Sequence, residues 1–187
     1  MHHQFGTLSV LPAAEHLDLV AEPVARALST LPVEDVGIAE IDPSLSDTAA
    51  FCAHYKIGMD RAANCVILEA KRGDREWFAA CVVLGNTRAD VNGLARKTLD
   101  ARRVSFAPME RAVSETGMEY GAITPVGLPN PPVGGWRILI DKAVADVQLV
   151  VIGSGKRASK LIVPGSFLAT LPNAQIVEGL GRVLTIT

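Results

Sequence analysis

The sequence predicts an α+β fold: one domain with a curved, mixed or mostly antiparallel sheet of about six to seven strands and helices packed around it. Three observations carry this expectation. Residues 65–70 and 77–84 are apolar runs on either side of a charged turn, Lys71-Arg72-Gly73-Asp74-Arg75, and so read as a hairpin. Residues 136–141, 148–153 and 159–163 form a second group of strand-like runs. Helical segments fall between these groups without strict strand–helix alternation, which argues against a doubly wound parallel sheet.

The elements follow in order. Residues 1–19 read as an N-terminal extension, packed through Leu8, Val10, Leu17 and Leu19, ahead of a domain over 20–187. His2 and His3 read as a disordered end. Glu22-Pro23 opens a helix, because Pro suits the first turn and Glu the positive end. Val20, Val24, Ala27, Leu28 and Leu31 continue its apolar stripe. Val36 and Ile38 alternate with small or polar neighbours and predict a strand. Ser46 or Asp47 caps a short helix that buries Phe51 and Tyr55. After the hairpin, Val91, Leu94, Ala95 and Leu99 share a helix face, with Arg88, Arg96, Lys97, Arg102 and Arg103 opposite. Val104 and Phe106 form an extended piece. Pro108 starts a helix with Met109, Ala112 and Val113 inward, stopped at Gly117. Gly153-Ser154-Gly155 turns between the last two strands of the second group. Pro164 opens a short helix through Leu171, and 174–177 adds a strand.

Composition narrows the function classes. The chain has 187 residues, 49% apolar and 20% charged, enough for a sizeable core. A net charge of -2 disfavours nucleic-acid binding by bulk electrostatics, though not a local basic patch. Cys52, Cys65 and Cys81 lack metal-type spacing and sit in apolar runs, so reduced thiols and a cytoplasmic location are expected. No apolar run is long enough for a membrane span. Neither a Walker loop nor a Gly-x-Ser-x-Gly elbow is present, and His16 and His54 belong to no ligand cluster, so no metal or cofactor is expected. Cys65 has no neighbouring base or cation and reads as a core thiol, not a nucleophile.

The segment 121–129, Gly-Ala-Ile-Thr-Pro-Val-Gly-Leu-Pro, is apolar and uncharged but fits neither a helix nor a long strand. Gly121 and Gly127 permit positive φ and close backbone approach, and Pro125 stiffens the loop between them. Such a loop can hold a polar group on its amides. On local sequence, a tight connection between strands also explains it. Asp141, at the end of an apolar strand, either accepts hydrogen bonds from a neighbouring loop or ends the strand in solvent. Basic residues at 71–75, 88–103 and 156–160 are solvated faces or contacts for a phosphate backbone. Aromatic residues are only 5%, too few for a broad base-stacking surface.

The ordered set Val36–Ile41, 46–51, 64–70, Val83–Asp90, Gly121–Gly127, Ile140-Asp141 and Gly153-Ser154-Gly155 resembles the YbaK/EbsC (ProX-like) aminoacyl-tRNA editing family. The resemblance runs from about Val20 to Gly179. It implies metal-independent hydrolysis of the ester joining a wrong amino acid to tRNA. It also implies aminoacyl-tRNA, and an aminoacyl-tRNA synthetase, as partners. By the same resemblance, Asn64, Gly121 and Asp141 take catalytic positions. Thr124, Pro125, Gly127, Gly153, Ser154 and Arg88 take substrate-binding positions, all eight cleft residues other than Arg88 bordering one pocket. Backbone amides of the 121–127 loop and near Gly153-Ser154 would stabilise the oxyanion, a role worth about 2.7–4 kcal/mol elsewhere. Two departures stand out. Relatives carry lysine where this chain has Asn64, and the paired basic residues that follow the Arg-x-Asp segment are replaced by Val91-Asn92-Gly93. The alternative reading is therefore a binding module for a small ligand, tRNA or protein that has lost its chemistry. On the resemblance, Asn64→Lys is expected to raise deacylation or tighten tRNA binding.

Overall fold

The predicted hairpin is the spine of the molecule. In the computed structural model, residues 4–45, 47–130 and 135–183 are described; His2, His3 and Ser46, singled out above, lie outside them. Strands are β1 (Gln4–Phe5), β2 (Leu8–Ser9), β3 (Leu11–Pro12), β4 (Gly37–Glu40), β5 (Ala63–Arg72), β6 (Arg75–Leu84), β7 (Thr87–Ala89), β8 (Arg103–Phe106), β9 (Arg137–Asp141), β10 (Val150–Gly153), β11 (Ser159–Val163), β12 (Ala174–Val177) and β13 (Gly181–Val183). Helices are α1 (Glu22–Leu28), α2 (Thr48–Tyr55), α3 (Arg96–Thr98), α4 (Met109–Thr116) and α5 (Lys142–Ala145).

The fold is α+β, as expected, with its strands divided between two main sheets. One has the order β12-β9-β6-β5-β8, the other β10-β11-β4-β3. β5 pairs antiparallel with β6 over their full lengths, from Ala63↔Leu84 to Arg72↔Arg75. β9 runs parallel to both β6 and β12, so the first sheet is mixed. A parallel bridge between Ala62 and Val151 ties the start of β5 to β10 and brings the two sheets together there. The largest core lies between them, with Ile38, Ile67, Val82, Ile140, Ile152 and Leu161 among its members. A second core under the other face of the first sheet holds Leu68, Val83, Val91, Ala95 and Leu99. The alternation along β5 makes this division: Ile67 faces one core and Leu68 the other.

Residues 4–12 run along the second sheet. Leu11 pairs with Ile38, and Phe5, Leu8 and Val10 are buried against Phe51 and Ile162. α1 carries Pro in its first turn and buries Val24 and Leu28. Asp47 caps α2, its carboxylate accepting from the N–H groups of Ala49 (3.0 Å) and Ala50 (3.1 Å). Gly117, at φ 66°, stops α4.

Three local expectations change. Met109 is exposed although it shares a face of α4 with the buried Ala112 and Thr116, because it stands at the first position of the helix, past the edge of the core. Arg88 lies on strand β7, paired with Arg182 of β13, and not on the helix that starts at Val91. The segment Gly165–Thr170 is a 3-10 helix. Among the described residues no helix is long and apolar enough to cross a membrane.

Candidate active site

The cleft begins where a strand runs out of partner. β8 covers the outer edge of β5 only from Leu68↔Phe106 to Lys71↔Arg103. Ala107 N–H then donates to Ile67 C=O (2.9 Å) and the chain turns away into α4. The first residues of β5 keep an edge without a strand partner, and a cleft of about 470 Å³ opens beside it. Its walls come from five segments: the start of α2 (Asp47, Thr48), β5 (63–67), the β8–α4 corner (Phe106, Ala107, Met109, Ala112), the 120–123 loop, and the β10–β11 pair (Gly153, Lys160). No described residue of the N-terminal segment lines it.

Asn64 sits on the cleft wall. The Thr48 hydroxyl donates to its Oδ1 (2.6 Å). This contact fixes the amide plane and leaves the Nδ2 hydrogens as the donors it can offer a ligand. Gly121 faces the same space at φ 80°, reached at the end of a tight turn in which Ala122 N–H donates to Glu119 C=O (3.0 Å). Gly153 ends β10 beneath the loop. A Cβ there would fall onto Ala122 O, with Ile123 O at 2.7 Å, so only glycine lets the loop lie on the strand. Gly155 N–H, donating to Ala122 C=O (2.8 Å), pins the loop in place.

The other expected site residues stand elsewhere, and the expectation of one shared cleft is corrected for them. Thr124 is fully buried, and its Oγ1 has no hydrogen-bond partner among the described residues. Pro125 and Gly127 border a separate groove with Pro23, Leu31, Trp136 and Leu171. Gly127 is needed for packing: at φ 81°, a Cβ would meet Pro23 O at 2.5 Å. Ser154 is fully buried, its hydroxyl 2.7 Å from that of Ser159, which donates to Leu19 C=O. Asp141 is buried on the first sheet and accepts from Gly181 N–H (2.9 Å), fastening β13. Arg88 lines a neighbouring hollow with Arg182 and Phe106, and Phe106 also borders the cleft.

Sequence reasoning missed two features. Lys160, from the 156–160 basic cluster, is only 9% exposed and lines the cleft. Burial holds its amine below the ordinary lysine value, an effect that Cys52 and Asp47 partly oppose. Its signal in the sequence is a lysine leading directly into an apolar strand run, Leu161-Ile162-Val163. The second feature is the rim. Five large apolar side chains are exposed among the described residues, and three of them, Phe106, Met109 and Tyr120, surround this one cleft. Cys65 also lines it, but burial pushes its thiol far above the ordinary range, so it stays protonated. Among the described residues no three His, Cys, Asp or Glu side chains gather as metal donors. The cleft offers amide, ammonium and backbone donors below an apolar, partly aromatic lip.

The profile of the aminoacyl-tRNA editing domain family matches residues 42–171, and the chain belongs to that family. The match takes in Asn64, Gly121 and Lys160. Among solved structures, the chain resembles a candidate trans-editing enzyme for prolyl tRNA synthetase, with a TM-score of 0.70 at 18% identity, covering 90% of this chain and 96% of that one. It also resembles a hypothetical protein, APE2540, with a TM-score of 0.66 at 19% identity, covering 78% and 90%. At these identities the likeness concerns the fold. No curated protein matches the sequence.

Proposed function

We propose that this chain is an aminoacyl-tRNA deacylase, hydrolysing without a metal the ester between a wrongly attached amino acid and the 3′ end of tRNA. One observation carries the reading: a single cleft combines a floor of hydrogen-bond donors with a lip of exposed aromatic and apolar side chains. A nucleoside ester needs both. The base stacks on an aromatic face, worth about 1–3 kcal/mol per base. The ester carbonyl sits among donors that strengthen as charge develops on its oxygen. Asn64 Nδ2 and the amides of Gly121 and Ile123 are the donors assigned; that of Ala122 is already used on Glu119 C=O.

In the reaction, a water oxygen bonds to the carbonyl carbon and the carbonyl electrons move onto its oxygen. The bond from carbon to the ribose oxygen then breaks. That oxygen takes the proton released by the water, leaving a free amino acid and a free tRNA hydroxyl. A group of the substrate itself is the alternative carrier for this proton, since no histidine among the described residues lines the cleft.

Arg88 and Arg182, which line a hollow with Phe106, are assigned to the phosphates leading to the terminal nucleotide. Thr124, Pro125, Gly127 and Ser154 are assigned to seating the loop, and Asp141 to holding the C-terminal strand. Residues 20–187 are proposed as the editing domain and 1–19 as an extension that widens its second sheet. The partner is the acceptor end of an aminoacyl-tRNA in the cytoplasm; a synthetase partner rests on family membership. The test is hydrolysis over a panel of mischarged tRNAs, with Asn64→Ala alongside. Release of amino acid by the natural chain, slowed in the variant, supports the reading. Binding of charged tRNA with no release on any of them returns the binding-module alternative.

A further inference from the structure

Lys160 has no role in the assignment above, yet its setting is costly. It is the second residue of β11, paired with Gly153 of β10 on one side and Ala39 of β4 on the other. Its Nζ is 5.4 Å from the centre of the Phe51 ring. Among the described residues it forms no ion pair, and the two groups whose charge favours its ammonium, Cys52 and Asp47, only partly offset its burial. A buried charge without a partner opposes folding, and an apolar side chain of the same length serves the fold as well or better. The aromatic face of Phe51 offsets only part of that cost. The remaining direction open to the amine is the cleft, which it lines with Asn64, Gly121 and Gly153.

We propose that Lys160 is the substrate-binding cation of this cleft, its ammonium holding the oxygen that becomes negative when the ester carbonyl is attacked. The proposal rests on reading the cleft as an ester-hydrolysing site. It places the cation on β11, whereas the cation expected at the start of β5 is replaced by Asn64. The ammonium keeps its three protons throughout; it balances charge on the carbonyl oxygen and neither gives nor takes a proton. Asn64 Nδ2, held by Thr48, donates to the same oxygen.

The experiment compares two probes on the natural chain, Lys160→Met and Lys160→Arg. One is adenosine bearing a methylphosphonate at its 3′ oxygen, tetrahedral and anionic; the other is 3′-acetylamino-3′-deoxyadenosine, planar and neutral. Lys160→Met should lose about tenfold to a hundredfold in affinity for the phosphonate. It should bind the amide as before and melt at or above the natural temperature. Lys160→Arg should keep part of the phosphonate affinity. Equal phosphonate affinity in Lys160→Met, parallel loss of both probes, lack of phosphonate binding by the natural chain, or a lowered melting temperature overturns the proposal. Failure of the two readings is separable. Full-rate tRNA deacylation by Lys160→Met removes Lys160 and leaves the deacylase. A natural chain that hydrolyses no charged tRNA removes the deacylase, and the phosphonate comparison still decides whether Lys160 binds an anion.

Discussion

Gly153→Ala tests how the loop is seated on the sheet. The added Cβ falls onto Ala122 O and sits 2.7 Å from Ile123 O, both backbone atoms that no rotamer change can move aside. The loop must lift. Ala122 O is also the acceptor for Gly155 N–H at 2.8 Å, so that hydrogen bond is lost or stretched. A lost hydrogen bond costs about 1 kcal/mol. Overpacking adds about 1–3 kcal/mol, for a total of about 2–4 kcal/mol. For a chain of this length that lowers Tm by roughly 5–15 °C. Gly73→Ala is the control, because Gly73 also has positive φ (59°) but meets nothing within 4 Å; it should cost about 1 kcal/mol. Thermal melts and single-turnover deacylation of both variants give the readout. Gly153→Ala should lose rate as well as stability, because Gly121 moves with the loop, while Gly73→Ala keeps its rate. A Gly153→Ala protein that melts like the Gly73→Ala control and deacylates at the natural rate would refute the argument that β10 seats the loop.

Three further outcomes are expected. Phe106→Ala and Tyr120→Ala should each raise KM about tenfold, within the range for one stacked base, with unchanged Tm because both side chains are more than half exposed; steady-state kinetics and melts check this. Asp141→Ala should cost about 1–3 kcal/mol by leaving Gly181 N–H without its acceptor, with the single-turnover rate of the folded protein retained; a lost rate at unchanged Tm would put Asp141 back among the catalytic groups. Asn64→Lys alone should fall short of the gain expected from the resemblance, because it sets a second cation in the cleft that Lys160 already lines. In a Lys160→Met background the same substitution should recover deacylation, and a tRNA panel on the single and double variants would read the difference.

Much of the fold was legible because its signals are local. The 65–84 hairpin announced itself by two apolar runs around a charged turn, and both strands simply extend further into that turn than the apolar run suggests. The Asp47 cap and the Gly117 stop are decided by hydrogen bonds within a few residues. Met109 was misread because it shares its helix face with Ala112 and Thr116, yet stands at the first position of α4, where that face has left the core and borders the cleft. β13 escaped notice because its partner, β7, lies more than ninety residues away and its own residues carry little apolar pattern. The site followed the same rule. Gly121, Asn64 and Gly153 were legible through motif order, and they share the cleft. Asp141, Ser154 and Gly127 belong to the same motifs but serve packing, a distinction that motif order does not carry.

The sequence by itself determined the α+β class, the hairpin, the capped helices and membership in the editing family, since residue type and order encode each of them. Only the tertiary structure decided which of the motif residues meet. β8 stops short of the start of β5, and that mismatch in strand length opens the edge where the cleft forms. It also decided where the cation comes from. A lysine on β11 and an asparagine on β5, 96 positions apart in the chain, face one space because Ala62 and Val151 bridge the two sheets. Lys160 is buried beside the Phe51 ring, a consequence of assembly that no local window of the sequence contains.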